Sequence, residues 1–361
     1  MKSSHSFRRR ARTGFTLIEL MVVILIIGIL LAMIFPGINS MLESANATAC
    51  QNNMREVHRA IMAFQNRNNG VLPGSWNSTP TTTGSDDING WSAQARLLPY
   101  LEQNKLFQNI DFSQSYSTSI EIVTADGSTT SLGAVRVPVY LCPSEVKDEV
   151  RYSGGEPIHY PINYAVNLGT WLVYDPANDQ GGDGAFYPDS RLKLSAFKDG
   201  ANETVCLAEV KGWNPYYRNA AKDLADLENA IPDPTAADYL DICSLEGDFK
   251  QNSGHTEWID GRAHQTGFTS VYTPNARVMC DESGDMYDVD WTNWQEGKGL
   301  GTGDDTPTFA AVTARSYHPG GVNVVMMGNS VHQVSDDIDP LVWRAYTTRA
   351  GNEVIGNDNR L

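Results

Sequence analysis

The sequence predicts an α+β fold in which one long N-terminal helix is laid against a β-rich, mostly antiparallel globular head. Three observations lead there. An uncharged apolar run, Leu20 to Phe35, passes directly into a stretch with helical periodicity; Asn68-Asn69-Gly70 then supplies a stop; and the remainder breaks into short β-rich runs punctuated by turn residues.

Composition sets the bounds. The chain has 361 residues, enough for a sizeable core, and its 41% apolar share with 31 Gly and 17 Pro marks a folded, loop-rich body. The formal charge is −16, and five basic residues (Lys2, Arg8, Arg9, Arg10, Arg12) precede residue 14, so a body without them carries −21. Such a body repels phosphates and anionic headgroups, which argues against nucleic acid as a partner.

The stretch Phe15 to Phe35 is close to the ~20 residues a helical membrane span needs. Basic residues before it and an acidic body after it orient the span with its N-terminus cytoplasmic and the head exported, to the periplasm or the cell surface. A cleaved signal peptide would need a small-x-small site soon after the run. Ala45-Asn46-Ala47 has that form but lies beyond Pro36, inside what reads as a continuing helix. A plain signal anchor explains the hydrophobicity and the arginines, but not Gly14 followed by Phe-Thr-Leu-Ile-Glu.

The segment "GFTLIELMVVILIIGILLAMIFP" (14–36) resembles the cleavage and methylation motif of type IV pilins and type II secretion pseudopilins. That resemblance implies a prepilin peptidase cutting after Gly14 and methylating Phe15. It divides the chain into a basic leader (1–14), a transmembrane helix (15–36), an amphipathic stalk helix (37–69) and an exported head (70–361). The implied setting is the inner membrane and the implied partners are the peptidase and other pilin-like subunits. A physical account runs beside it. Cleavage leaves an amine four residues from Glu19, and a charge in a low dielectric survives only when paired or neutralised. Glu19 therefore reads as an assembly contact that meets the Phe15 amine of a neighbouring subunit.

Beyond Pro36, apolar residues recur at steps of three and four: Ile38, Met41, Leu42, Ala45, Ala49, then Cys50, Met54, Val57, Ile61 and Phe64. Pro36 should kink this helix rather than end it, giving one element of about fifty residues that Gly70 closes. Cys50 and His58 on it read as ordinary helix residues rather than ligands.

In the body, 91–107 reads as a short helix pair, and 135–145, 164–174, 204–210, 269–280 and 322–327 as strands. "VNVVMMGNSVHQV" reads as a hairpin whose two-residue connection, Gly328-Asn329, tolerates φ > 0 at both positions. Together with "CQNNMREVHRAIMAFQNRNNGVLPGSW", "YLCPSE", "FKDGANETVCLAEV" and "YHPGGVNVVMMGNSVHQVSDDID", these pieces resemble a planctomycete-type family of pilin-like bacterial proteins of undefined function. That family carries a C-terminal H-x(9)-D-G motif. Here nine residues follow His318, and Gly328-Asn329 then replaces Asp-Gly. A catalytic or metal-binding Asp would not survive that change, whereas a turn accepts it. His318, Gly328 and Asn329 thus read as a structural hairpin.

Five cysteines without a CxxC pair give no zinc-knuckle or thioredoxin signal; one or two disulfides and at least one leftover thiol are expected, with connectivity open. Two acidic stretches, 175–184 and 281–290, gather oxygen ligands, which makes Asp281 and Asp285 weak calcium candidates. Neither stretch is an EF-hand loop, since Met286 stands at the glycine position and Thr292 at the bidentate Glu position. No other cofactor is indicated. No P-loop, HExxH or G-x-S-x-G motif is present, so no enzyme activity is expected. The expected role is a subunit of a secretion pseudopilus or pilus. The alternative is a membrane-tethered adhesive protein whose 8 Trp and 15 Tyr line a binding face.

Overall fold

The computed structural model describes residues 15–78, 90–116, 120–124, 127–220, 227, 241–245, 247–299, 303–356 and 361; within 32–40 it describes the backbone only. The leader and Gly14 lie outside the described residues. The chain divides into two units, 1–45 and 46–361.

One α-helix runs from Leu17 to Arg67, 51 residues, and Pro36 does not end it. Its stop is the expected one. Asn69 and Gly70 adopt left-handed φ values of 55° and 81°, and the Gly70 amide donates back to Gln65 O at 2.9 Å, satisfying a carbonyl the helix leaves open.

The head is built on a five-stranded sheet ordered Gly267–Phe268, Tyr164–Asn167, Val205–Glu209, Gly321–Met326 and Val331–Ser335, antiparallel except for its first pair. Both faces are buried, and the period-2 alternation sorts side chains between two cores. Val166, Leu207 and Val325 share one core with Cys50, Met54, Val57 and Ile61 of the long helix. Ala165, Ala208, Val324 and Met326 share the other with Trp343 and Tyr346. These last two lie on a C-terminal helix, Pro340–Thr347. Asp339 caps it by accepting from the Leu341 and Val342 amides, and Pro340 sits at its first turn.

A six-stranded sheet lies in the same unit, ordered Asp248–Gly254, Asn214–Arg218, Asp290–Thr292, Thr308–Ala311, Leu172–Asp175 and Gln180–Gly181. One of its pairs is parallel. Its core stacks Trp171 on Trp291 with ring centroids 5.5 Å apart, beside Phe309. The α+β class with a mostly antiparallel head holds.

Several strand expectations are corrected. Residues 135–145 form a 3-10 turn, Pro138–Tyr140, because Pro138 has no N–H to give a ladder. The 164–174 run is two strands in different sheets, with Gly169 at φ 99° in the crossing between them. Of 269–280 only the end enters a strand, Met279–Glu282, since Asn275 turns the chain at φ 55° after Pro274.

The 321–335 hairpin forms, but not with a two-residue turn. Val325 pairs with Val331 and the Met326 amide reaches Ser330 O at 2.8 Å, leaving a three-residue loop closed by Asn329 N to Met326 O at 2.9 Å. In that loop Asn329 is left-handed at φ 75° and Gly328 is not, the geometry of a β-turn followed by one αL residue. A Cβ on Gly328 would meet the movable tip of Asn202. Asn329→Val should therefore lower stability by about 1–2 kcal/mol, and Gly328→Ala by less than about 1 kcal/mol. Chemical denaturation of the two variants checks the order; the reverse order would restore the two-residue turn.

Candidate functional site

At the N-terminal end, every described side chain from Phe15 to Leu31 is exposed, Phe15 at 73% and Ile18 at 69%. Exposed apolar surface on this scale marks an interaction face. Among the described residues no helix is long and apolar enough to cross a membrane. The expected span, 15–36, extends into 32–40, whose side chains lie outside the description.

Glu19 has a local role that the sequence reading missed. Its Oε2 accepts from the Thr16 amide at 2.9 Å and the Thr16 hydroxyl at 2.7 Å, while Thr16 Oγ1 accepts from the Glu19 amide at 3.3 Å. This is a capping box, legible as T-x-x-E in residues 16–19. It closes the first turn of the helix.

In the head, the ring of His318 does not serve the hairpin turn. It sits before the strand Gly321–Met326, at the opposite end from the loop, with Nε2 3.3 Å from Glu209 Oε1 and 3.3 Å from Cys142 Sγ. Cys142 is bonded to Cys50 of the long helix. The second disulfide is Cys243–Cys280, and Cys206 is a buried thiol whose ionisation burial pushes up. The histidine at the turn is His58: its Nε2 lies 3.0 Å from Met327 O, and burial lowers its pKa.

Cys50, Cys142, Glu209 and His318 are all buried, and their ligand atoms lie within 4.8 Å of one another. Glu209 is held on both oxygens: Oε2 accepts from the Asn323 amide at 2.8 Å and Oε1 from Asn323 Nδ2 at 3.1 Å. Asn323 Oδ1 in turn accepts from Gln51 on the long helix at 2.9 Å. Sequence reading missed this grouping. A carboxylate ending the apolar run Val-Cys-Leu-Ala-Glu was the one available signal.

The other candidates are spent on the fold. Asp281 pairs with Met286 and Asp285 with Glu282 across a hairpin, so Asp281 and Asp285 occupy opposite faces of it. Asp175 folds back onto the Ala177 amide and the Asn178 side chain. A 590 Å³ groove lined by Trp171, Asp183, Phe309 and Arg349 has its charges engaged, with Asp183 accepting twice from Thr170 and Arg349 donating to the Gly182 and Gly184 carbonyls. Six tryptophans (Trp76, Trp91, Trp171, Trp258, Trp291, Trp343) are buried, and of these Trp171 also lines that groove.

A helix whose apolar side chains are exposed from Leu17 to Leu31, and whose later turns carry core residues of a β-rich head, fits a prepilin-type, pilin-like protein. The comparisons agree. The chain belongs to the family described as proteins of unknown function (DUF1559), which matches residues 39–341. The prokaryotic N-terminal methylation motif matches residues 9–35. Over 58 residues the chain is 36% identical to the type II secretion system core protein G of Pseudomonas aeruginosa, covering 16% of this chain and 41% of that relative's length. No solved structure matches.

A pH dependence follows from two buried acids. Burial raises Glu296 to about 7 and Asp260 to about 6. Glu296 Oε1 accepts from the Ala263 amide at 3.0 Å, and its Oε2 is buried without a partner among the described residues. Both carboxyls take up protons on folding, so their contribution is most favourable below about pH 4 and is lost as pH rises toward 7. Glu296→Gln should raise stability by up to about 3 kcal/mol at pH 8 and change it little at pH 5. Urea denaturation at the two pH values checks this.

Proposed function

We propose that this chain is a non-enzymatic structural subunit of a type II secretion pseudopilus or a type IV pilus-like assembly. The observation that carries the reading is the exposed apolar helix coinciding with the N-terminal methylation motif. A prepilin peptidase cuts after Gly14 and methylates Phe15. The helix from Phe15 then anchors the chain in the inner membrane, with the head exported, until it enters an assembly.

Glu19 has two roles in sequence on this reading. In the single chain it caps its own helix through Thr16. In the assembly it meets the Phe15 amine of the next subunit, which offsets the cost of holding a carboxylate among apolar helices. The relative in Pseudomonas aeruginosa is named as a core protein of the type II secretion system. The shared segment is the basis for extending that class of role to this chain.

Mass spectrometry of the protein from its own host should find N-methyl-Phe15 as the first residue. Gly14→Ala should leave the leader attached and keep the chain out of filaments. Glu19→Val should be processed and yet be depleted at least about tenfold from filaments, the loss expected for one pairing worth about 1.4 kcal/mol or more. An intact Met1 in the native protein, or normal filament incorporation of Glu19→Val, would contradict the reading.

A further inference from the structure

We propose that Cys50, Cys142, Glu209 and His318 form a buried Zn²⁺ site when the Cys50–Cys142 disulfide is reduced. Two thiolates, an imidazole and a carboxylate are all ligand types that zinc takes, and four of them complete a tetrahedron. Zinc bonds of 2.0–2.3 Å place neighbouring ligand atoms about 3.3–3.8 Å apart. The His318 Nε2 to Glu209 Oε1 and His318 Nε2 to Cys142 Sγ separations are both 3.3 Å. All four ligand atoms lie within 4.8 Å of one another, so closing the tetrahedron requires the two sulfurs to part and the rest to adjust slightly.

The surroundings have the form of a built site. A disulfide needs neither a carboxylate nor an imidazole beside it, and burying that pair is costly unless it has work to do. Here Glu209 and His318 are 2% and 3% exposed. Glu209 is oriented by Asn323, which Gln51 holds, and the Cys142 amide is held by Asn163 Oδ1 at 2.9 Å. Hydrogen bonds of this kind orient metal ligands. They also fix the strand Gly321–Met326 to the helix turn that carries Cys50.

The chemistry balances. A dithiol reductant gives two electrons and two protons to the Cys50–Cys142 bond, leaving two thiols and becoming a disulfide itself. Zn²⁺ then displaces both thiol protons and takes the thiolates, with Nε2 of neutral His318 and the Glu209 carboxylate completing its shell. Either way the helix stays tied to the rest of the head, by a covalent bond to Cys142 or through the metal. This inference stands apart from the assembly role.

The test uses the full-length chain in detergent, reduced anaerobically with a phosphine, stripped with a chelator and titrated with Co²⁺. One Co²⁺ per chain with thiolate-to-cobalt charge transfer is expected, and none for the oxidised chain. His318→Ala and Glu209→Gln should each weaken binding at least about tenfold. In the reduced wild-type chain, Zn²⁺ should protect Cys50 and Cys142 from alkylation while Cys243 and Cys280 react, read by peptide mass spectrometry. That second measurement does not depend on the variants folding. Absence of stoichiometric Co²⁺ uptake, unchanged affinity in both variants, or equal alkylation of Cys50 and Cys142 with and without Zn²⁺ would each overturn the site.

Discussion

The helix Leu17–Arg67 is a single hydrogen-bonded element that has to serve two environments. From Asn46 onward its apolar residues lie in the head, where Cys50, Met54, Val57 and Ile61 are less than 2% exposed. Up to Leu31 its described apolar side chains are exposed. At roughly 25 cal/mol per Å² of apolar surface, leaving that stretch in water is costly, so it calls for lipid, other helices or both. The head shares its core with the helix in return, because those four side chains lie in one cluster with Val166, Leu207 and Val325 of its central sheet.

Glu19 both caps its helix and carries a charge into an apolar run. A capping interaction is worth about 1 kcal/mol. Holding an acid in a bilayer costs up to about 2.5–3.5 kcal/mol on lenient insertion scales, a value for the helix centre that bounds the cost at Glu19, near the start of the 15–36 run. The Thr16 cap accounts for how the helix begins, and it does not offset burial of the charge. A second partner of opposite charge would, and under the processing proposed above that partner is the Phe15 amine of a neighbouring subunit.

Local features were legible in the sequence and non-local ones were not. The helix, its stop at Asn69-Gly70 and the 321–335 hairpin follow from periodicity and turn residues close together in the chain. The hairpin loop was misjudged because a glycine suggests positive φ, whereas here Asn329 takes it. Strand expectations at 135–145 and 269–280 counted apolar residues and underweighted Pro138 and Pro274. The Cys50, Cys142, Glu209 and His318 grouping joins four distant points of the chain, and no spacing rule reaches across such separations. The capping box at Thr16 and Glu19 is local and legible as T-x-x-E.

On the proposed assembly role, the exposed apolar run up to Leu31 is covered by other pilin-like helices. The most direct measurement places a photo-crosslinking amino acid at Ile24, an exposed position inside the apolar run, in the chain expressed in its own host. On irradiation the account predicts covalent adducts with a second copy or another pilin-like subunit, lost in Gly14→Ala. Adducts with lipid alone would contradict it and leave a tethered monomer.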